Sequence, residues 1–507
     1  VQPGMDNNHK TGSTMYLGID LGTSEVKAVV IDAEGKLLAL AGSPLTVSRP
    51  HPRWSEQDPQ HWWRAAGDTV ASLREQLGAE RFAGIRAIGL SGQMHGAVLL
   101  DAQDRVLRPA ILWSDSRSTD ECAELTRRWN ESGDLHQRAG NLAMPGFTAP
   151  KLLWVARHEP QLFAEVACVL LPKDWLRLQM TGRKISDPSD AAGTLWLDVA
   201  QRDWSDALLA AGGMRRGQMP DLADGSAAAG FLLPEVARDW GLADDVVVAG
   251  GAGDGAASAV GIGAVRPGDG FLSLGTSGVL FVVNDKFRPN PARAIHAFCH
   301  TLPQRWHQMS VMLSAASCLR WFCRLCSVDE KTLLQEVAAL DDEALANAPL
   351  FLPYLSGERT PHNDPYALGV FHGLSHEHQR AALAYAVLEG VSFGMVDGLD
   401  ALRAAGTDVQ QLSLVGGGAR SAYWAQLLSD ALDVRIVTHV GSEAGGALGA
   451  ARLAWLADGG SEEMVCRKPP QQDCYEPRRA RHAQLQPRLQ RYRHIYQPWE
   501  PLPSGSA

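Results

Sequence analysis

Two four-residue turns of identical sequence carry most of the chemistry legible in this chain. Leu21-Gly22-Thr23-Ser24 follows Gly18-Ile19-Asp20 near the start, and Leu274-Gly275-Thr276-Ser277 follows Gly268-Asp269-Gly270 and a short apolar run just past the middle. Each lies between two stretches of strand character: Met15 to Leu21 and Val26 to Ile31 in the first case, Gly270 to Leu274 and Val279 to Val283 in the second. Each therefore reads as a glycine-containing hairpin turn. Such a turn presents backbone N–H groups and hydroxyls, and N–H donors approach phosphate oxygens closely only where no Cβ intervenes. Two facing turns of this kind make a clamp for a polyphosphate. Asp20, where the first strand ends, is placed to hold Mg²⁺ beside such phosphates, because Mg²⁺ takes one or two carboxylates together with phosphate oxygens. A turn-stabilising hydrogen bond from the Asp20 side chain is the structural alternative.

The elements that must position these groups follow an α/β pattern. Ala33-Glu34-Gly35-Lys36 turns the first hairpin into a third strand, Leu37 to Ala41, and Asp58 before Pro59 signals a helix start. Ile85 to Leu90 is a buried strand that ends in Ser91-Gly-Gln-Met-His-Gly96, and Ala97 to Leu100 runs away from it. Asp120 to about Arg238 alternates helix-like and loop stretches, rich in Trp and Pro, without a clear pattern. Val246 to Ala249 then delivers the chain into Gly250-Gly-Ala-Gly-Asp254-Gly255 and a small-residue helix, Ala256 to Val260. That helix start puts free N–H groups and positive dipole character beside Asp254. Leu412 to Val415 ends in Gly416-Gly417-Gly418, Ser421 caps a helix through Leu432, and Ala444 to Ala451 is a helix built for close packing. The tail after about Glu462, with its Pro and many charges, reads as a surface extension.

Bulk composition narrows the class. A chain of 507 residues exceeds the roughly 250 to 300 residues at which single cores stop growing, so two or more domains are expected. The offset between the two turns is close to half the length, which favours two similar lobes. Net charge is −10, and no Lys/Arg-rich stripe appears, which argues against nucleic acid as the main partner. No apolar run approaches the roughly 18 to 20 residues of a membrane span, and no signal-peptide pattern opens the chain. Residues 1–14 read as an expression scar or frayed extension, with Met15 as a possible native start. The eight cysteines are scattered, which suits a reducing, cytoplasmic setting. Cys323 and Cys326 form a CxxC, but no second pair stands at zinc-site spacing, and Ser314 to Leu325 reads as a buried helix.

Taken in order, the motifs resemble those of the sugar kinases of the FGGY family, within the actin, Hsp70 and hexokinase-like superfamily. They are Met15 to Ser24, Ser91 to Gly96, Gly146-Phe-Thr-Ala-Pro-Lys151-Leu-Leu-Trp154, Gly253 to Ala257, Leu274 to Ser277, Leu368-Gly-Val-Phe371 leading to Ala386-Val-Leu-Glu-Gly390, and Gly416 to Ser421. The resemblance covers Met15 to about Leu456. It implies a two-lobed actin/Hsp70/hexokinase-like (ribonuclease H-like) α/β fold with central mixed sheets flanked by helices. The expected division is 15–262 for a sugar-binding lobe with the first phosphate hairpin, 263–460 for a nucleotide-binding lobe, and 461–507 for a C-terminal extension. A Walker A sequence is absent, in keeping with phosphate binding by hairpin N–H groups.

The resemblance also assigns roles. Asp254 matches the family's catalytic aspartate, which takes the proton from the attacking hydroxyl; a helix cap is the competing structural reading. Met94 and His95 match a pair that contacts a ketopentose, His95 by hydrogen bonding and Met94 by packing, where glycerol-phosphorylating members carry Arg-Glu. Thr23, Gly275 and Thr276 are expected at phosphates, and Gly417, Gly418 and Ser421 around adenosine, although Ser421 departs from the Asn of some relatives. Trp113 and Asp115 either line the sugar pocket or serve structure, while Trp62, Trp63 and Trp321 read as core. The implied activity is ATP-dependent, Mg²⁺-assisted phosphorylation of D-xylulose in xylose catabolism. The implied partners are sugar and ATP, with no nucleic acid or membrane, and a homodimer is compatible. Ribulose or a deoxy-xylulose as substrate, and a non-catalytic nucleotide sensor, are the alternatives.

Overall fold

The computed structural model describes residues 14–133, 135–440 and 445–498; the expected N-terminal scar up to residue 13 and Ala444 lie outside the described residues. The first lobe opens with the expected meander, β1 (Met15–Leu21), β2 (Glu25–Asp32) and β3 (Leu37–Pro44). It continues through α1 (Pro59–Leu77), whose start is capped by the Asp58 side chain accepting from Gln60 N–H, and β4 (Ile85–Gly92). The β1 and β2 strands pair antiparallel around the first turn, while β1 and β4 run parallel with Asp20 opposite Ser91. The region with no clear sequence pattern folds onto this lobe as the helix Thr119–Glu131, α2 (Thr148–His158), α3 (Pro172–Thr181) and smaller pieces; α3 packs into the sheet's own core through Trp175, Leu176, Leu178 and Met180, while the rest surrounds a Trp-rich core that includes Trp129, Trp196 and Trp204. β5 (Ala228–Phe231), β6 (Val247–Ala249) and β7 (Ala252–Gly253) complete the sheet, in the order β5-β6-β4-β1-β2-β3 with β7 also on β4. α4 (Asp254–Gly261) follows directly.

The second lobe repeats the plan. β8 (Gly270–Leu274) and β9 (Gly278–Asn284) pair antiparallel around the second turn, and β10 (His296–Cys299) and β11 (Trp306–Met312) extend that side. After α5 (Ala316–Cys326) and α6 (Arg380–Ala404), β12 (Gln411–Val415) runs parallel to β8; α7 (Ala422–Leu432) then leads to β13 (Arg435–His439). The sheet order is β10-β11-β9-β8-β12-β13, closed by an edge strand β14 (Gln471–Tyr475). In both lobes a hairpin is followed by a parallel strand on the same side of its first member. This is the duplicated arrangement that the repeated turn suggested. α6 is 25 residues long and apolar enough to pass for a membrane span, yet 94% of its most apolar stretch is buried in the protein, so its composition reflects a core position.

Two helices tie the lobes together, and each covers part of the other lobe's sheet. α8 (Gly445–Ala457) lies on β1 and β4, so close that a Cβ on Gly18 or Gly89 would overlap its backbone carbonyls. α4 places Ala259 and Ile262 against Phe271 and Phe281 of the second sheet. The two helices cross each other at backbone contact, where a Cβ on Gly449 would overlap the Ala257 carbonyl oxygen. The small residues from Gly445 to Ala451 serve this double contact.

One expectation fails. The tail beyond Glu462 is not a surface extension: it supplies β14 and then α9 (Arg479–Ile495), whose Leu485, Leu489 and Tyr492 are buried in the second lobe's core. Their spacing marks one helical face that the surrounding charges obscure in the sequence. Arg488, on the same helix, makes a buried bidentate pair with Glu389 of α6 at 2.6 and 2.7 Å. The CxxC is a face of α5, with Cys323 buried, Cys326 half-buried and both free. Among the described residues no group of three or more His, Cys, Asp or Glu could hold a metal.

Candidate active site

Asp20, Ser91 and Ala252 form one row across adjacent parallel strands, at their C-terminal ends. Ligand clefts of α/β sheets open at such an edge. Ser91 Oγ donates to Asp20 Oδ1 at 2.7 Å, and Gly446, at the start of α8, approaches the same carboxylate so nearly that a Cβ there would lie 3.0 Å from Oδ1. Burial pushes the Asp20 pKa up, against the opposing pull of Ser91 and Lys27. Two residues beyond Ala252, Asp254 opens α4. Gly253 occupies the cap position, and the Asp254 carboxylate instead accepts from its own neighbour Gly255 N–H at 2.7 Å. Its outer face is open, but protein encloses it on the remaining sides. That exclusion of water, followed by the charge of nearby Asp20, pushes its pKa up to about 6, with Gly255 N–H opposing.

Met94 and His95 reach the same place from the end of β4. The Met94 side chain packs against the backbone of Gly253, where a Cβ would come within 2.9 Å of its sulfur, so the residue before Asp254 must be small. His95 has a φ of 69°, a left-handed conformation that costs a non-glycine residue energy. It is pinned at both ends. Its carbonyl accepts from Lys151 Nζ at 2.8 Å and Thr148 Oγ1 at 3.1 Å, and its ring Nδ1–H donates to Gly193 O at 2.7 Å. Burial drives the ring's pKa down to about 3, so it is neutral, and with Nδ1 protonated the Nε2 atom is an acceptor. Phe147 packs on the ring at 4.4 Å. Lys151 is wholly buried, its pKa pulled down to about 7 by that burial, and it also holds Gly146 O at 2.8 Å. In the sequence Lys151 stands only as part of the Gly146 to Trp154 motif, and its apolar surroundings give no local sign that it clamps His95.

The first turn is braced by a hydrogen-bond network. Thr23 Oγ1 donates to Gln93 Oε1 at 3.0 Å and accepts from Trp113 Nε1–H at 2.9 Å. Trp113 is 47% exposed, in contrast to Asp115, whose carboxylate is buried and saturated by Arg117 and by Ser55 N–H. Asp115 therefore serves structure, its oxygens taken up within the protein. Arg117 stacks over Trp54 at 3.6 Å, which completes that buried support. Trp62 is fully buried in the first core, Trp63 stacks on Trp240, and Trp321 packs against the second core.

In the second lobe, Gly275, Gly417, Gly418 and Ser421 line one cavity of about 680 Å³, together with Ala316, Leu319, Arg320 and Trp424. Thr276 joins this wall through Arg320 Nη2, which donates to its hydroxyl at 2.8 Å. Ser421 Oγ is occupied in capping α7, accepting from Trp424 N–H at 3.2 Å. A larger cavity of about 780 Å³ lies across Gly416 and Gly417, floored by Phe271 and Leu414, and touches none of the other residues expected to bind ligand. The arrangement therefore has two parts: a first-lobe floor of Asp20, Met94, His95 and Asp254, and a second-lobe pocket bordered by the second turn and the triple glycine.

Residues 15–261 match the N-terminal domain model, and residues 270–457 the C-terminal domain model, of the FGGY family of carbohydrate kinases. The chain is 52% identical to the xylulose kinase of Escherichia coli (strain K12), over 96% of this chain and 100% of that protein. It is 49% identical to the xylulose kinase of Klebsiella pneumoniae, over 97% and 100%. The crystal structure of a xyloylose kinase from Brucella ovis superposes with a TM-score of 0.91 at 50% identity, over 95% of this chain and 98% of that one. The chain belongs to the FGGY family of carbohydrate kinases.

Proposed function

We propose that this kinase transfers the γ-phosphate of ATP to D-xylulose, giving D-xylulose 5-phosphate, with Asp254 as general base. What supports the reading is a carboxylate with its pKa pushed up to about 6 beside the Met94–His95 pair, in a chain 52% identical to a xylulose kinase. His95 Nε2, held as an acceptor, suits a sugar hydroxyl, and Met94 offers apolar surface to the carbon chain. Asp254 receives the proton of the attacking hydroxyl as its oxygen bonds to the γ-phosphorus and the bond to ADP breaks. Adenosine is assigned to the cavity of Gly417, Gly418 and Ser421, with the phosphates running past Gly275 and Thr276 toward the first turn.

Asp20 fits Mg²⁺. One of its oxygens is engaged by Ser91, the other is available to a cation, and the absence of a multidentate acidic cage among the described residues leaves phosphate oxygens and water as the remaining ligands. When bound, Mg²⁺ offsets charge on the β and γ phosphates. In this reading residues 15–262 hold the sugar, residues 263–460 hold the nucleotide, and the enzyme acts in the cytoplasm, where ATP is supplied. Closure of the lobes would exclude water so that the sugar hydroxyl meets the phosphate.

The test is ADP release across D-xylulose, D-ribulose and 1-deoxy-D-xylulose. The expected result is the highest kcat/KM for D-xylulose; preference for either other sugar refutes the substrate assignment.

A further inference from the structure

Behind the candidate site lies a charged cluster that the proposed reaction does not use. Lys173, Asp174 and Arg177 of α3, together with Asp187 and with Asp190 of the short helix Pro188–Ala191, are wholly buried. Lys173 Nζ sits 2.6 Å from Asp174 Oδ1, 2.9 Å from Asp187 Oδ1 and 3.1 Å from Asp190 Oδ2, and Arg177 Nη1 donates to Asp174 Oδ1 at 3.0 Å. Two cations thus face three carboxyl groups. Burial holds the Asp190 carboxyl well above the usual carboxylate range, against the pull of Lys173, so it keeps its proton and the cluster is neutral. Taking such charges out of water is costly, and buried ion pairs are weak evidence of stability. What this cluster does is orient the chain that leads into Asp254.

Its outward bonds reach the stretch from Ala249 to Gly253. Arg177 donates to the Ala249 carbonyl at 3.4 Å and to the Gly250 carbonyl. Asp187 Oδ2 accepts from Ser189 N–H at 2.8 Å and from Ser189 Oγ. An ion-paired carboxylate only accepts, so the Ser189 hydroxyl has given its proton to Asp187 and turns a lone pair outward. That lone pair receives Gly253 N–H at 3.2 Å. The stretch needs such support, because Gly250, Gly251 and Gly253 have no side chains to hold their peptide planes, and Gly251 has a φ of 77°. Glycine rotates at little steric cost. A buried Gly253 N–H without its acceptor is an unsatisfied donor, and turning it toward another would swing Asp254, the first residue of α4.

We propose that Ser189, oriented by Asp187, is a positioning residue for phosphoryl transfer: by holding the Gly253 N–H it fixes where the Asp254 carboxylate meets the sugar hydroxyl. The Lys173 ammonium acts one step further back, holding Asp187. A base displaced by a fraction of its reach loses rate even though its chemistry is intact. The proposal rests on the general-base reading of Asp254 above and adds the group that aims the base.

The experiment makes Ser189→Ala and Ser189→Thr in the parent enzyme and Ser189→Ala in Asp254→Asn. ADP release with D-xylulose gives kcat and KM, and deuterium uptake read by mass spectrometry follows the amides from Ala249 to Gly255. Ser189→Ala is expected to lower kcat about fivefold to tenfold, to leave the KM for ATP within about twofold, and to make one further amide of that segment exchange rapidly. Ser189→Thr keeps the hydroxyl and should restore both. In Asp254→Asn, which has no base left to aim, adding Ser189→Ala should change kcat by less than about twofold. A parental kcat in Ser189→Ala overturns the proposal, as does a folded Ser189→Thr that restores nothing. A loss that persists in full beside Asp254→Asn also overturns it, since a merely structural hydroxyl acts alike on both backgrounds. If Ser189→Thr does not fold, the Ala variant and the double variant decide alone; loss of the fold in Ser189→Ala assigns the hydroxyl to stability and overturns the proposal. A parental kcat in Asp254→Asn would instead strike the general-base reading, and the exchange measurement would still test whether Ser189 holds Gly253.

Discussion

Asp254→Asn separates the chemistry of the site from its cost. With a pKa of about 6, roughly nine tenths of the enzyme carries a free carboxylate at pH 7 and roughly a tenth at pH 5. kcat/KM for the parent should therefore fall about tenfold from pH 7 to pH 5. His95, driven down to about 3, is neutral throughout this range and does not contribute. Lys151, near 7, goes from about half to fully protonated over this range, but both its forms have N–H donors for the His95 and Gly146 carbonyls. Asp254→Asn keeps the side-chain shape and removes the base, with an expected loss of about 10² to 10⁴ in kcat. Nucleotide and sugar affinities, read by calorimetry, should stay near parental values. Stability should move the other way. The folded carboxyl binds its proton more tightly than the unfolded one, whose value is 3.8, so its contribution to stability is complete below 3.8 and is lost as the pH rises through 6. Asp254→Asn carries no charge and escapes that loss. Its Tm should exceed the parent's at pH 8, with the difference shrinking through pH 6 and gone below about pH 4. A near-parental kcat refutes the base assignment, and a Tm gain independent of pH refutes the account of the raised pKa.

Three further outcomes follow from packing and charge. Gly449→Ala drives a methyl into the Ala257 carbonyl at the helix crossing, so thermal unfolding should show a loss of about 1 to 3 kcal/mol; unchanged Tm would mean that α4 and α8 separate freely. Arg488→Met leaves the Glu389 carboxylate buried without its partner and frees the Ala346 and Ala348 carbonyls, which should cost about 3 to 5 kcal/mol in urea unfolding. A smaller loss than about 1 kcal/mol would mean the tail helix is dispensable. His95→Asn should raise the KM for sugar at least tenfold while leaving that for ATP within twofold, measured by ADP release; equal effects on both would place His95 outside the sugar site.

Much of the scaffold was readable because the strands that carry it are apolar runs bounded by turn residues. β1, β2, β4, β8 and β12 all lie where alternation and glycine placed them, and the caps at Asp58 and Ser421 form as their spacing implies. The tail helix was missed for a definite reason. Its buried apolar residues are Leu485, Leu489 and Tyr492, set among Arg, Gln and His neighbours and interrupted by Pro487, so composition outweighed periodicity. Asp115 was ambiguous because its partners Ser55 and Arg117 reveal themselves only in three dimensions. The cover each lobe's sheet takes from the other lobe's helix left a trace in Gly18, Gly89 and Gly449, but glycines alone do not say which backbone approaches them.

The repeated turn shows where a local reading must stop. Leu-Gly-Thr-Ser makes a hairpin in both places but not the same one: Gly22 N–H bonds Glu25 O in a four-residue loop between paired Leu21 and Val26, whereas Gly275 N–H bonds Ser277 O in a three-residue loop between paired Leu274 and Gly278, both at 3.0 Å. What the hydroxyl can do is set by residues far along the chain: Gln93 and Trp113 for one turn, Arg320 for the other. Shared turn residues with divergent support leave the Thr23 hydroxyl engaged by Gln93 and Trp113 and the Thr276 hydroxyl backed by Arg320. Identical turn residues can differ in this way because a hydroxyl is donor and acceptor at once, and the neighbours decide which half they occupy.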